Sequence, residues 1–418
     1  MPPLAKGGRR GPLPQAGICL VLVLAGFCAA PDLAADEGAG RNVVVTDYQG
    51  KVQTGALTEL GSGQLALGNI EQVRLKTRNL VSLKIKDRTS AIAASDPLVI
   101  LAGGDLLALR PDAIDEESVT ARWVRFPTWP AVKVPLESVR GLLLSRPSDA
   151  AAGARVLNQL LEYRDPQDAV IMANGDTLAG EFASLDEKHL VLETPLGKSS
   201  VDRSGIRAVI FNPTLTNAET LKGEGALISL VDGSRFHARD LKFGALDRLT
   251  LRTLFGVELE LPLGSIESLR FLGGCAAYLS DLAPAEFKFE PFLDLAWPMR
   301  NDRNVSGGFL TLRGVEYPKG LGVHSRSSAT YRLDGRFRWF HAVLGIDDET
   351  GGKGSVVFEV LADGKSIYKS DVLTGSNPPV VLDRLDVSGA KMLTLRVDYA
   401  TLGDIQDHAD WCDAALIR

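Results

Sequence analysis

Apolar and polar residues alternate in short runs along most of the chain, a pattern typical of β-strands that bury one face. The clearest stretch, residues 168–211, predicts a strand, an Asn-Gly-Asp turn, a second and a third strand around a polar turn, and two shorter strands after a glycine turn. Residues 225–271 repeat that order, with Asp232-Gly233 at the first turn. The chain is therefore expected to contain repeats of one β-rich unit.

Four such units are predicted, and turn glycines recur at matching places in them. Five short strands in each unit favour closure into a small barrel of the SH3-like or Sm-like class. The tandem barrels are predicted at residues 42–92, 97–147, 168–213 and 225–272.

One helix is predicted between the second and third units, at residues 154–164. Val156, Leu157, Leu160 and Leu161 recur there at helical spacing and would share one face. We expect this linking helix to pack between barrels.

The last third of the chain, residues 275–418, shows five more strand-like runs with turn signals between them, among them the hairpin turn Asp363-Gly364. This rhythm predicts a β-sandwich. The whole chain is thus expected to be all-β: tandem barrels followed by a sandwich.

The N-terminus predicts export. Lys6, Arg9 and Arg10 precede an apolar run at 16–30, and small residues follow it, which together indicate a signal peptide at residues 1–35. The run is about fifteen residues long, too short to span a bilayer comfortably. We expect a secreted or periplasmic, cell-envelope protein with no membrane span after cleavage.

Composition and charge limit the classes of partner that the protein can be expected to bind. The 418 residues carry a net charge of -6, so no basic field attracts nucleic acid or anionic membranes. No nucleophile elbow, phosphate loop or metal-binding His or Cys spacing occurs, and no catalytic residue is predicted.

Two cysteines, Cys275 and Cys412, remain after removal of the signal peptide. An oxidising compartment makes a disulfide between them one alternative, which would join the two ends of the last domain. Two buried free thiols are the other alternative.

The motifs YLSDL, YPKGLGVHS, LGIDDETGGKGSVVFEV, ADGK and DWCDAALI stand in this order in residues 275–418. Together they resemble the NPCBM family of carbohydrate-binding modules, which is often attached to glycoside hydrolases such as those of family 98. The resemblance implies a galactose-binding-like jelly-roll β-sandwich, frequently with a structural calcium ion, and a sugar site in the loops at one end. Cys412 departs from the small alanine usual in the family.

Five residues in this block have the side-chain types that a sugar pocket needs, namely fixed hydrogen-bonding groups and a flat aromatic face. They are His324, Arg326, Asp347, Asp348 and Trp411. Each aspartate could instead cap a turn, Trp411 could be a core residue, and His324 could be structural.

Acidic residues recur every third position at Asp404, Asp407, Asp410 and Asp413. Such like-charge density is costly unless the carboxylates are solvated, paired or bound to a cation. Asp410 and Asp413 are therefore the candidate calcium ligands, and Asp404 and Asp407 are interpreted as solvated loop acids.

These patterns predict a non-catalytic glycan-binding protein, with the sandwich binding a glycan that could contain galactose. The barrels would serve as a spacer or as a platform for a protein partner. The alternatives are an accessory part of a glycoside hydrolase system and a structural envelope scaffold without sugar binding.

Overall fold

The computed structural model describes residues 42–68, 72–90, 96–147, 149–291, 295–401 and 403–418. The predicted signal peptide, residues 1–35, lies outside this part of the chain. Strands dominate the described residues, which contain one α-helix, so the all-β fold class is confirmed. None of the helices seen there has the length and apolar character needed to cross a bilayer.

The first two repeat units lie N-terminal to the helix. Their strands are β1 (Asn42–Asp47), β2 (Val52–Gly61), β3 (Gln64–Gly68), β4 (Val73–Lys76), β5 (Leu80–Ile85), β6 (Leu98–Leu101), β7 (Leu106–Leu107), β8 (Leu109–Ile114), β9 (Ser118–Trp123), β10 (Val132–Pro135) and β11 (Val139–Leu143). The second strand of unit two is split into β7 and β8 at Ala108. The N–H of Ala108 donates a hydrogen bond to the Ser234 hydroxyl of unit four at 2.9 Å.

The helix and the other two units follow. They are α1 (Ala150–Glu162), β12 (Asp168–Met172), β13 (Thr177–Leu185), β14 (His189–Thr194), β15 (Gly197–Asp202), β16 (Ile206–Ile210), β17 (Gly225–Leu230), β18 (Arg235–Phe243), β19 (Arg248–Thr253), β20 (Glu258–Pro262) and β21 (Ile266–Leu272). In every unit the first strand pairs with both the second and the fifth, and a short 3-10 helix precedes the fifth strand. Closure of each unit into a barrel, and the domain boundaries, stay predictions.

The units associate in a nested order through their fifth strands. β5 of unit one pairs antiparallel with β21 of unit four, and β11 of unit two pairs with β16 of unit three. The apolar faces of all four units meet in one core cluster. The repeats therefore form two pairs of units, one with four and two with three, rather than a linear array.

The outer faces of the two pairs differ, and the sequence explains why. In units two and three the fifth strands end in the apolar runs 141–143 and 208–210, which are buried, and α1 covers their outer face with Leu157 and Leu160. Burying each leucine contributes about 2 kcal/mol. In units one and four, polar residues such as Lys84 and Arg270 alternate with apolar ones and face outward.

The helix begins at Ala150, four residues before its predicted start. Asp149 is the N-cap, and its carboxylate accepts a hydrogen bond from the Ala152 N–H at 2.7 Å. The apolar spacing alone located the buried face and missed this first turn, which contains few large apolar residues.

The remaining strands belong to the C-terminal domain. They are β22 (Ala276–Tyr278), β23 (Glu286–Phe289), β24 (Arg300–Asn301), β25 (Leu310–Leu312), β26 (Val315–Tyr317), β27 (Gly320–His324), β28 (Ser327–Arg332), β29 (Trp339–Ile346), β30 (Ser355–Ala362), β31 (Lys365–Lys369), β32 (Leu373–Thr374), β33 (Val380–Asp386), β34 (Met392–Tyr399) and β35 (His408–Ile417).

Two antiparallel sheets form a β-sandwich in this domain. One sheet has the order β24-β27-β35-β29-β33 and the other the order β23-β28-β34-β30-β31, with β22 and β32 added at their sides. Alternate residues of both sheets point into a single core.

The sandwich docks on the polar outer face of units one and four. Arg270 binds both carboxylate oxygens of Asp413 at 3.0 and 3.2 Å, and Arg235 binds Glu316 at 2.8 Å. Both arginines are less than one-tenth exposed, so these pairs hold the repeats and the sandwich together in a defined geometry.

Candidate functional site

Several loops gather at one end of the sandwich, which we call the loop end. Because neighbouring strands run antiparallel, the connections from β27 to β28, from β29 to β30 and from β34 to β35 all lie at this end. The loop end comprises residues 290–291, 295–299, 324–326, 347–354, 400–401 and 403–407.

Three rings meet at the loop end. Trp297, which is half-buried, stacks on His324 with ring centroids 5.0 Å apart and planes 4° from parallel. His408 approaches Trp297 at 5.3 Å and His324 at 5.6 Å. His324 is 4% exposed, so it supports the indole from below while the indole remains partly open to solvent. We call Trp297, His324 and His408 the ring cluster.

His324 stays neutral at physiological pH. Burial, and then the neighbouring His408, lower the pKa of His324 to about 4. Its Nδ1 atom is buried without a hydrogen-bond partner among the described residues. A neutral imidazole has one donor and one acceptor nitrogen, which suits recognition of a hydroxyl group.

Glu349 lies beside the ring cluster and contacts His408. Its Oε1 atom lies 2.6 Å from Nδ1 of His408, and the Ser306 hydroxyl lies 3.5 Å from the same nitrogen. Glu349 is positioned because Asp347 caps the short helix Asp348–Thr350 that carries it. The carboxylate thus fixes the His408 ring and retains acceptor capacity for a ligand.

The predicted pair Asp347 and Asp348 lies at the loop end and organises it. Asp347 is buried and accepts hydrogen bonds from the N–H groups of Thr311 and Glu349, both at 2.9 Å. Asp348 accepts from the N–H groups of Arg313 and Gly314 at 2.9 and 2.7 Å. Both carboxylates therefore hold the β25–β26 hairpin against the loop end, the capping role that the sequence left open.

Asp410 is fully buried, and neither of its oxygens has a hydrogen-bond partner among the described residues. Burial, and the neighbouring Asp347 carboxylate, raise the pKa of Asp410 well above its usual value. Two carboxylates cannot donate to each other, whereas a protonated Asp410 can donate to Asp347. Burial and the neighbouring carboxylate therefore favour the protonated form of Asp410.

Asp410 and Asp413 do not fit a shared calcium ion. Asp413 uses both oxygens on Arg270, whereas Asp410 lies beside Asp347. Among the described residues no group of three or more acidic, histidine or cysteine side chains is arranged to hold a metal ion. This arrangement does not bring the two aspartates together in one site, and their assignment as calcium ligands stays a prediction.

Two other predicted sugar ligands have different surroundings. Trp411 is 1% exposed in the core, where its ring packs edge-on against Phe358 at 5.0 Å, so it cannot present a face to a ligand. Arg326 is exposed at the loop end, bonded to Glu290 at 2.5 Å and placed over the Tyr399 ring at 5.7 Å.

Two further sequence interpretations need correction. Cys275 and Cys412 are free, buried thiols, so the disulfide alternative is wrong. Cys275 neighbours the end of β35 through Arg418, six residues from Cys412, a distance of roughly 20 Å along a strand. Asp407 is not solvated: it is 0% exposed and accepts a hydrogen bond from the Ser355 N–H.

The sequence analysis missed Trp297, His408 and Glu349. Trp297 lies in a stretch without strand periodicity, so nothing indicated where its side chain points. His408 belongs to the motif DHADWC, and Glu349 directly follows the predicted aspartate pair, so both carried a signal.

Comparison with known proteins identifies the C-terminal region. The model of the NPCBM/NEW2 domain family matches residues 276–417, which confirms the resemblance in this third of the chain. A Renibacterium salmoninarum protein named as an endo-alpha-N-acetylgalactosaminidase is 39% identical over 108 residues, 26% of this chain. Alpha-1,3-galactosidase B of Akkermansia muciniphila is 29% identical over 119 residues, 28% of this chain.

These matches cover only 7% and 15% of the two relatives, so the chain spans a small part of their lengths. Among solved structures, a CBM51 module of a Clostridium perfringens family GH95 protein, in complex with methyl-galactose, is 27% identical. That match covers 34% of this chain and 99% of the module, with a TM-score of 0.31.

Proposed function

We propose that this protein is a secreted, non-catalytic glycan-binding protein whose sugar site is the ring cluster at the loop end. The observation that carries the proposal is the stack of Trp297 on His324, with Glu349 beside His408, in a domain of a carbohydrate-binding module family.

The chemistry of the ring cluster suits a sugar. A pyranose has an apolar face of C–H groups, which packs on a partly open indole, and hydroxyl edges that need directed donors and acceptors. Trp297 supplies the plane, Glu349 supplies acceptor oxygens, and His324, whose pKa lies far below physiological pH, supports the indole as a neutral ring.

The sugar is proposed to be of the galactose type. Both curated relatives are named for enzymes that act on galactose or N-acetylgalactosamine linkages. Galactose carries an axial hydroxyl. This hydroxyl can donate a hydrogen bond to a neighbouring carboxylate such as Glu349 while the opposite face of the ring packs on Trp297.

The repeats are proposed to act as a platform that displays the sandwich. The buried pairs Arg270–Asp413 and Arg235–Glu316 favour a fixed arrangement over a flexible spacer. A non-catalytic role is supported because Asp347 and Asp348 are occupied by backbone N–H groups and Asp410 is buried, whereas glycoside cleavage uses two carboxylates facing a cleft. Export rests on the predicted signal peptide.

Calorimetric titration of the full chain with methyl α-galactoside and with N-acetylgalactosamine tests the proposal. Trp297→Ala should lower the affinity at least tenfold, about 1.4 kcal/mol. Trp339→Ala is the matched control, because Trp339 is also half-buried but begins β29 at the opposite end of the sandwich, and it should leave the affinity unchanged.

Equal loss in both variants, or none in Trp297→Ala, would refute the assigned site. A blank glycan array with the folded full chain would overturn sugar binding altogether and would favour the structural scaffold.

A further inference from the structure

A cavity of about 340 Å³ lies between the loop end and the repeats. Its repeat-side wall includes Leu98, Leu143, Gly153 and Leu157, and its sandwich-side wall includes Asp348 and Glu349. The volume lies at the lower end of the range of about 300 to 1,000 Å³ for small-molecule sites. The linking helix α1 thus faces the loops that hold the proposed sugar site.

The two walls are fixed relative to each other by polar contacts between α1 and residues 300–307. Asn158 donates to the Ser306 carbonyl, and Arg303 donates to the Asn158 amide oxygen at 2.5 Å. Glu162 pairs with Arg300. Because α1 is anchored in this way, the cavity is a built feature of the chain rather than a gap beside a loose linker.

The cavity and the ring cluster are linked by one residue that touches both. Glu349 lines the cavity and also contacts His408 of the ring cluster at 2.6 Å. A sugar chain whose terminal residue packs on Trp297 would reach the cavity by passing Glu349.

The lining also indicates the kind of residue that would fit. Leucines from β6, β11 and α1 form an apolar wall, and Glu349 forms an acceptor edge. Asp347 and Asp348, which already accept backbone N–H bonds, add negative charge behind it, and Arg146 is the cation among the described lining residues. An acceptor edge of this charge favours hydroxyl donors and disfavours anionic sugars such as sialic or uronic acids.

We infer that the cavity is a second subsite, built jointly by the repeats and the sandwich, which holds the penultimate neutral sugar of a galactose-terminated glycan. This inference rests on the proposed function and deepens it, because it assigns α1 and the repeats a part in specificity. The repeats would then select chain length as well as display the sandwich.

Filling the cavity from the helix tests the inference. A Cβ added at Gly153 would meet nothing closer than the Pro147 carbonyl oxygen at 4.0 Å, so a larger side chain can enter the cavity without a backbone clash. Gly153→Leu fills it, and Gly153→Ala is the matched control that adds one methyl group. Replacing a helix-interior glycine should also keep or raise the thermal midpoint in both variants.

Full-length proteins are titrated with methyl α-galactoside and with the disaccharide galactose-α-1,3-galactose. We expect the wild type and Gly153→Ala to bind the disaccharide at least fivefold more tightly than the monosaccharide. Gly153→Leu should bind both with the monosaccharide affinity of the wild type. If Gly153→Leu unfolds early, Gly153→Met provides the same blockage with a more flexible side chain.

The inference is overturned if the wild type binds both sugars equally, or if the folded filling variant keeps the disaccharide advantage. Either result leaves the proposed function standing, since the monosaccharide still binds. Failure of the wild type to bind either sugar overturns the proposed function and the subsite together.

Discussion

The two ends of the sandwich use their polar residues in different ways. At the opposite end, formed by residues 333–338, 363–364 and 387–391, the aspartates are exposed and satisfied by turns. Asp363 accepts from the N–H groups of Lys391 and Met392, and Asp386 accepts from the N–H of Ser388. At the loop end and in the strand that begins there, His324, Asp407 and Asp410 are buried, and each has at least one atom without a partner among the described residues.

Buried polar atoms without partners cost stability, so native proteins keep few of them. Their concentration at one end, beside the half-buried Trp297, distinguishes the loop end, where the sugar site is proposed, from the opposite end, where polar residues close turns. The following predictions test this contrast.

The largest expected difference is in the free energy of unfolding. Asp347→Ala removes the acceptor of three hydrogen bonds, from the N–H groups of Thr311 and Glu349 and the side chain of Asn304, and should destabilise the protein by about 3 kcal/mol. Asp363→Ala, at the exposed opposite end, should cost about 1 kcal/mol, including the strain of alanine at a φ of 48°. Urea unfolding measures both; equal costs would contradict the contrast.

The second difference is the pH dependence of stability at the loop end. Burial raises the pKa of Asp407 to about 6 from 3.8. Its favourable contribution is complete below about pH 4 and is lost as the pH rises through about 6, on the order of 2 kcal/mol. Asp407→Asn keeps the acceptor for the Ser355 N–H and should lack this loss.

His324 acts in the opposite direction, because its lowered pKa resists protonation in the folded state. It is present in both proteins, so the difference between wild-type and Asp407→Asn unfolding curves from pH 4 to 7 isolates Asp407. If the difference in unfolding free energy did not change with pH, the raised pKa of Asp407 would be contradicted.

A third, smaller effect concerns affinity. Glu349→Gln keeps the size of the side chain but weakens the contact with His408 and removes the charge available to sugar hydroxyls, so methyl α-galactoside should bind about tenfold more weakly, or about 1.4 kcal/mol. Asp334→Asn, which changes an exposed carboxylate at the opposite end, is the control and should bind like the wild type. Calorimetry decides, and unaltered binding by Glu349→Gln would exclude Glu349 from the site.

The smallest effect is expected at the opposite end. Hydrogen bonds from Ser388 lower the pKa of Asp386, so its contribution is present at neutral pH and is lost as the pH falls through the lowered pKa. Asp386→Asn should therefore show a slight loss of stability near neutral pH that disappears in acid, the reverse of Asp407→Asn. Thermal midpoints across the acid range test the sign.

The sequence predicted the fold better than the site, for physical reasons. Alternation within a strand is local, so the strand-rich repeats of all four units could be inferred. The nested pairing of β5 with β21 joins residues far apart in the chain, and no local pattern specifies it. The candidate site shows the same limit: Asp347 and His324 were predicted as site residues and lie at the loop end, whereas Trp297 was missed because irregular backbone gives its side chain no predictable direction.

The most direct test of the central claim is to locate the bound sugar. Hydrogen exchange of the full chain is measured with and without saturating methyl α-galactoside. We expect protection in peptides covering residues 295–299, 347–354 and 403–408, and unchanged exchange in peptides covering 333–338, 363–364 and 387–391. Protection at the opposite end, or an unchanged pattern at the loop end while the sugar is bound, would contradict the account.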